Sequence, residues 1–127
     1  MTATGITKSS PSSTGQSKTS KSPRQILEEG RALLSKPENW TQRVAARDIH
    51  GIRVGSTEEY ACSWCSYGAL NKVDPDHGWQ RSDAEEHLEQ AAKELQPGCV
   101  SYVHFNDSHT HSEVLQMWDK AIQNAES

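Results

Sequence analysis

The chain has 127 residues, 33% of them hydrophobic and 24% charged, with a formal net charge of -4, proportions that suit one soluble domain with a modest core. No apolar run approaches the roughly 18 residues of a membrane-spanning helix, and the N-terminus lacks the apolar segment of a signal peptide, so membrane partners are excluded and a cytoplasmic location is expected. Residues 1–24 carry four basic side chains and no acid, which leaves 9 basic against 17 acidic groups, a net of -8, in the remainder; a domain that acidic repels nucleic-acid phosphates.

Residues 1–21 form a Ser/Thr-rich tail with almost no large apolar side chain. Such a segment buries too little surface to offset the entropy of ordering, so it is expected to be disordered, with a single domain over 22–127. Order begins at Ser22-Pro23-Arg24-Gln25, which supplies an N-cap serine, a proline at the first helical position and a glutamine at the capping-box position. The following helix presents Ile26, Leu27, Gly30, Leu33 and Leu34 on one face and stops before Lys36-Pro37. From Val44 to Val54 the pattern alternates. Val44, Ala46, Ile52 and Val54 flank a turn at Asp48-Ile49-His50-Gly51, the signature of a short hairpin with Gly51 at positive φ.

Ser56-Thr57-Glu58-Glu59 has the form of a second capping box, predicting a helix that carries Tyr60-Ala61-Cys62-Ser63-Trp64-Cys65-Ser66-Tyr67-Gly68-Ala69-Leu70. Gly68-Ala69 gives that helix a surface where a second helix can come close. A turn-rich loop, with Trp79 at its end, separates it from a helix capped at Ser82-Asp83-Ala84-Glu85, whose inward set is Ala84, Leu88, Ala91, Ala92 and Leu95. Cys99 to Phe105 is short, β-branched and aromatic, the composition of a third strand. A closing helix is capped by Thr110-His111-Ser112-Glu113 and turns Val114, Leu115, Trp118, Ala121 and Ile122 inward. The expected fold is α+β, about four helices on a small two- or three-stranded antiparallel sheet.

Three constellations carry chemistry. Cys62-x-x-Cys65, with Cys99 and His104, has the residue types of a tetrahedral zinc site, against which stands the reading of three core thiols. Cys65, His104 and Asn106 follow the chain order of a cysteine hydrolase. A cysteine deep inside a helix, however, gains little from the helix dipole, and no oxyanion hole is visible. Asn106, Asp107, His109 and His111, together with Trp79, form a polar and partly aromatic loop set of the kind that binds partners, although turn chemistry alone also explains the first four. Cys65 is read as structural, and serine there is expected to cost more than alanine because a buried hydroxyl would lack a partner.

The order Trp40, Arg47-Asp48 with Gly51, Trp64-Cys65 with Gly68-Ala69-Leu70, and Phe105-Asn106-Asp107 resembles a family of small bacterial and phage-encoded domains of unknown function. The family is marked by W-C-x-x-G-A-L and a later F/W-N-D. The resemblance covers about residues 23–123 and implies a compact α+β domain in a bacterial or phage setting, with no assigned activity; Cys62, Cys99, His109 and His111 lie outside its pattern. The function expected is a non-enzymatic interaction module, without cofactor, for an unknown protein partner with a basic surface. A hydrolase using Cys65 and His104, and a small zinc protein, are the alternatives.

Overall fold

A computed structural model describes residues 21–76 and 78–126. All but the last residue of the expected N-terminal tail lies outside them. The elements run α1 (Pro23–Leu33), a 3-10 turn (Pro37–Asn39), β1 (Ala46–Arg47), β2 (Arg53–Val54), β3 (Ser63–Trp64), α2 (Ser66–Val73), α3 (Trp79–Leu95), α4 (Tyr102–Ser108) and α5 (His111–Glu126). The three strands form one antiparallel sheet in the order β2-β1-β3. The α+β class is as expected, with five α-helices among the described residues.

Two ends of the chain fold as their caps dictate. Ser22 is the N-cap of α1, its hydroxyl accepting from Gln25 N–H at 3.1 Å, and Ile26, Leu27 and Leu34 are fully buried. Lys21 reaches back onto α1 and α2, donating to Glu29 Oε1 (2.7 Å) and Val73 O (3.0 Å). At the other end Thr110 and Glu113 form a reciprocal capping box: Glu113 N–H donates to Thr110 Oγ1 at 3.2 Å, and Thr110 N–H to Glu113 Oε1 at 2.9 Å. α5 then buries Val114, Met117, Trp118 and Ala121 against α3 and α1.

The Glu113 carboxyl is held below the usual glutamate range, chiefly by the Thr110 backbone N–H. A depressed folded-state pKa gives stability that is present above the unfolded value and is lost as pH falls through the folded one. The urea midpoint should therefore drop between pH 6 and pH 3 less steeply in Glu113→Gln than in wild type, and parallel curves would remove the cap from the acid response.

The middle of the chain departs from its local signals. The hairpin forms, with Gly51 at φ 80°. Asp48 Oδ1 accepts from both His50 N–H and Ile52 N–H at 2.9 Å. The Arg47 guanidinium fastens the hairpin's flank, donating to Thr41 Oγ1, Gly51 O and Gln42 O at 2.8, 3.0 and 3.3 Å. The helix expected to begin at Ser56 does not exist. Glu58 turns its carboxylate onto Gly55 N–H, and the chain runs extended along β1, where Cys62 N–H meets Arg47 O (2.9 Å) and Cys65 N–H meets Ala45 O (3.1 Å). Sheet pairing thus outcompetes the capping signal, and the third strand is β3, inside the stretch read as helix.

The segment expected to supply that strand is helix α4 instead. Ser101 Oγ caps His104 N–H at 3.0 Å, Glu89 Oε1 takes Tyr102 N–H at 2.8 Å, and Tyr102 OH donates to Glu85 Oε2 at 2.8 Å. Two carboxylates of α3 therefore anchor the first turn of α4, and tertiary bonds of this kind override a weak β propensity. α3 itself begins at Trp79 with Gly78 as N-cap, so Ser82 lies inside the helix and Trp79 is its first residue rather than a loop residue. Ala84, Leu88, Ala91 and Ala92 are buried as expected, whereas Leu95 and Ile52 stay 40% and 60% exposed.

Candidate functional site

The junction of β3 with α2 positions the chemistry-bearing residues. Cys65 is the N-cap of α2, in extended backbone, with its sulfur accepting from Gly68 N–H at 3.3 Å. It is therefore at the helix end and not deep inside it. Burial pushes its thiol pKa up; the nearby Asp107 charge adds to this, while the Gly68 and Tyr67 backbone amides act in the opposite sense. A cleft of about 260 Å³ opens beside it, lined by Arg43, Arg53, Cys65, Tyr67, Val103 and Asp107 among others. Arg43 stands at φ 75°, left-handed backbone that a residue with a β-carbon adopts only when held. Asp107 Oδ1 holds it, accepting Arg43 N–H at 2.8 Å.

Behind the cleft lies a buried polar hub centred on Asn106, which is fully buried. Its Oδ1 accepts from Trp40 Nε1–H (2.8 Å), Ser66 N–H (3.0 Å) and Ser66 Oγ–H (2.9 Å), and its Nδ2 donates to Thr41 O (3.2 Å) and Asp107 Oδ1 (3.1 Å). Trp118 Nε1–H closes the network onto Ser66 Oγ at 3.0 Å. One amide thus joins the segment before β1, the start of α2, and α4, and links them to α5. Every hydrogen-bonding group of that side chain is engaged within the protein.

The two histidines are equally occupied. The His109 ring stacks on Phe105 with centroids 3.7 Å apart and donates Nδ1–H to Phe105 O at 3.0 Å. His111 donates Nε2–H to Leu34 O at 2.7 Å, which ties α5 to the end of α1, and its ring lies 5.5 Å from that of Trp40. Asp107, His109 and His111 are half-buried. Trp79 stands apart from them: it is 65% exposed, and among the described residues no hydrogen bond or ring contact links it to the other four.

The hydrolase set is not assembled. His104 is exposed and its ring does not line the Cys65 cleft, while Asn106 is committed to the hub. The zinc set is dispersed as well: Cys62 is exposed, Cys65 is buried, and Cys99 donates its S–H to Ser101 O at 3.3 Å. Among the described residues no group of three or more His, Cys, Asp or Glu side chains is placed to hold a metal ion.

Position at the N-cap reverses the expectation for substitutions at Cys65. Serine is a preferred N-cap residue and its hydroxyl would inherit the Gly68 N–H, whereas alanine leaves that amide without its cap, at a cost of about 1 kcal/mol. Cys65→Ser should therefore unfold at higher urea than Cys65→Ala. In native buffer a thiol reagent should modify Cys62 quickly and the buried Cys65 and Cys99 slowly; rapid native labelling of Cys65 would contradict its burial.

Reading the sequence alone missed Ser66, which is fully buried at the centre of the hub, and Arg81, which is 1% exposed and places its guanidinium 5.3 Å from the Tyr67 ring centroid. Ser66 acquires its partners through tertiary packing and has no local signal, whereas Arg81 stands four residues before Glu85, a helical ion-pair spacing that the sequence did display. Arg43 carries no glycine-like signature at its left-handed position.

Comparison with known proteins adds one match. A family model described as a family of unknown function, DUF6197, matches residues 18–124. No curated protein and no solved structure matches the chain.

Proposed function

We propose, for a chain that belongs to the DUF6197 family of unknown function and takes no activity from that membership, that the domain is a non-enzymatic interaction module of bacterial or phage origin, acting in the cytoplasm on a protein partner with a basic surface. The observation that carries the reading is Trp79, the first residue of a well-formed helix, which is left 65% exposed. A tryptophan so placed keeps a large apolar surface in water, and this residue type dominates the buried centres of interfaces. The described residues carry 11 basic against 17 acidic groups, a balance that favours a cationic partner and disfavours nucleic acid. A thiol that is buried and raised in pKa is a poor nucleophile, which weighs against a cysteine hydrolase.

The test is affinity capture from the native host with the intact protein as bait, followed by binding of the purified partner. Trp79→Ala should weaken binding about tenfold or more without lowering the thermal midpoint, and affinity should fall with added salt. Asp107, which lies in the last turn of α4 and not in a loop, also contributes to this reading, but its carboxylate supports Arg43, so loss of binding in Asp107→Ala counts only if the variant stays folded. A partner that ignores both Trp79 and salt would end the proposal.

A further inference from the structure

Outside the Cys65 cleft, the largest unexplained feature is the hairpin. Its turn leaves Ile49 83% exposed and Ile52 60% exposed, two β-branched apolar side chains where turns ordinarily carry polar ones. Beside them opens a cleft of about 440 Å³, lined by Glu38, Asp48, Ile49, Gly51 and Cys62 among others. The charges around it are unequal. Glu38 and Asp48 set two negative charges against the one positive charge of Arg47, which also lines the cleft and turns its three guanidinium nitrogens to neutral oxygens of the hairpin's own flank. Asp48 gives one carboxylate oxygen to the turn amides and keeps its charge. Glu38 is exposed and has no hydrogen bond or ion pair among the described residues. The cleft therefore offers an apolar wall and an exposed carboxylate, unpaired among the described residues, on a domain whose overall field already attracts cations.

We infer that this hairpin cleft is a docking site for a basic segment of a partner protein, which places one aliphatic or aromatic side chain against Ile49 and Cys62 and a lysine or arginine against Glu38. The inference rests on the interaction-module reading and assigns it a second contact surface, separate from Trp79. Apolar anchoring supplies the affinity, and the carboxylate selects the sign of the neighbouring charge.

Cys62 gives the site its own reporter, because Cys65 and Cys99 are buried and native thiol modification follows Cys62 alone. Three fluorescent peptides of about ten residues serve as probes for the full-length protein: lysine-rich with one central leucine, the same with serine for leucine, and glutamate-rich with leucine. The first should bind, slow the modification of Cys62 roughly fivefold at saturation, and lose about tenfold in affinity to Glu38→Lys or Ile49→Ser. Both variants change exposed side chains and should keep the wild-type circular dichroism and melting midpoint. The serine and glutamate peptides should bind at least tenfold more weakly. Binding of the first peptide with unaltered Cys62 kinetics would overturn the hairpin site and leave the broader reading intact, as would a captured partner that needs Trp79 but binds Glu38→Lys and Ile49→Ser like wild type. Equal binding of the lysine and glutamate peptides would overturn the charge argument on which both rest.

Discussion

Alanine at Gly68 is expected to be the most damaging single-methyl change in the domain. A β-carbon built at Gly68 falls 1.9 Å from the carbonyl oxygen of Ala45 and 2.8 Å from its carbonyl carbon. Those are backbone atoms, and the same oxygen accepts Cys65 N–H at 3.1 Å, so it cannot retreat without breaking the bond that joins the sheet to α2. Overpacking a tight core commonly costs about 1–3 kcal/mol, and a clash with backbone on both sides belongs at or above the top of that range. Against a total stability of roughly 5–15 kcal/mol, Gly68→Ala should lose about 3 kcal/mol or more in urea titration. Gly30→Ala is the instructive contrast. Its β-carbon would fall 2.5 Å from the Trp118 ring, a side chain that can tilt, though only by stretching its bond to Ser66. A Gly68→Ala protein as stable as wild type would show that the two backbones are not in contact.

The same glycine shows how far the sequence alone could be read. Gly68-Ala69 announced a close approach, and at Gly68 the approaching element is the chain entering β1, while α1 also packs on this helix. The distinction was illegible because a small residue signals proximity without naming its neighbour. Two of the four expected caps, at Ser22 and Thr110, open their helices; the one at Ser82 lies inside α3, which starts three residues earlier. Ser22 and the Thr110-Glu113 pair open α1 and α5 at the expected residues, and no described strand takes their capping amides. Ser56-Thr57-Glu58-Glu59 carried an equally good local pattern and failed, because β1 offered Arg47 O and Ala45 O to the amides of Cys62 and Cys65. In the opposite direction, Cys99 to Phe105 looked like a strand and became α4 through carboxylates contributed by Glu85 and Glu89, more than ten residues away.

The candidate site was legible in its parts and not in its arrangement. Cys65, Asn106 and Asp107 were all singled out, and Cys65 and Asp107 do line one cleft. Their roles differ from what chain order implied. Asn106 sits behind the cleft as a structural amide, Asp107 fixes the left-handed Arg43, and His109 and His111 pin their own helix ends. Four residues that looked like a ligand-binding loop are largely engaged in holding the fold. Trp79, the member without such a duty, is the one left facing solvent.

Removal of the Asn106 amide should be as severe as the Gly68 clash, by a different route. Asn106→Ala leaves Trp40 Nε1–H, Ser66 N–H and Thr41 O without their partner in a region where Asn106, Ser66 and Trp118 are each fully buried. An orphaned buried polar group costs about 1–3 kcal/mol, and the three together should lower stability by roughly 4 kcal/mol after partial relaxation or entry of water into the space. For a domain of this size that corresponds to a fall in melting temperature on the order of 15 °C. Ser66→Ala removes the hydroxyl that links Asn106 to Trp118, so the two substitutions share partners and should not add. A double-mutant cycle is expected to give a coupling of about 1–2 kcal/mol, with the double variant less damaged than the sum of the single ones. Strict additivity, or an Asn106→Ala protein within about 1 kcal/mol of wild type, would mean that the interior tolerates these donors unpaired and that the hub does not hold the elements together.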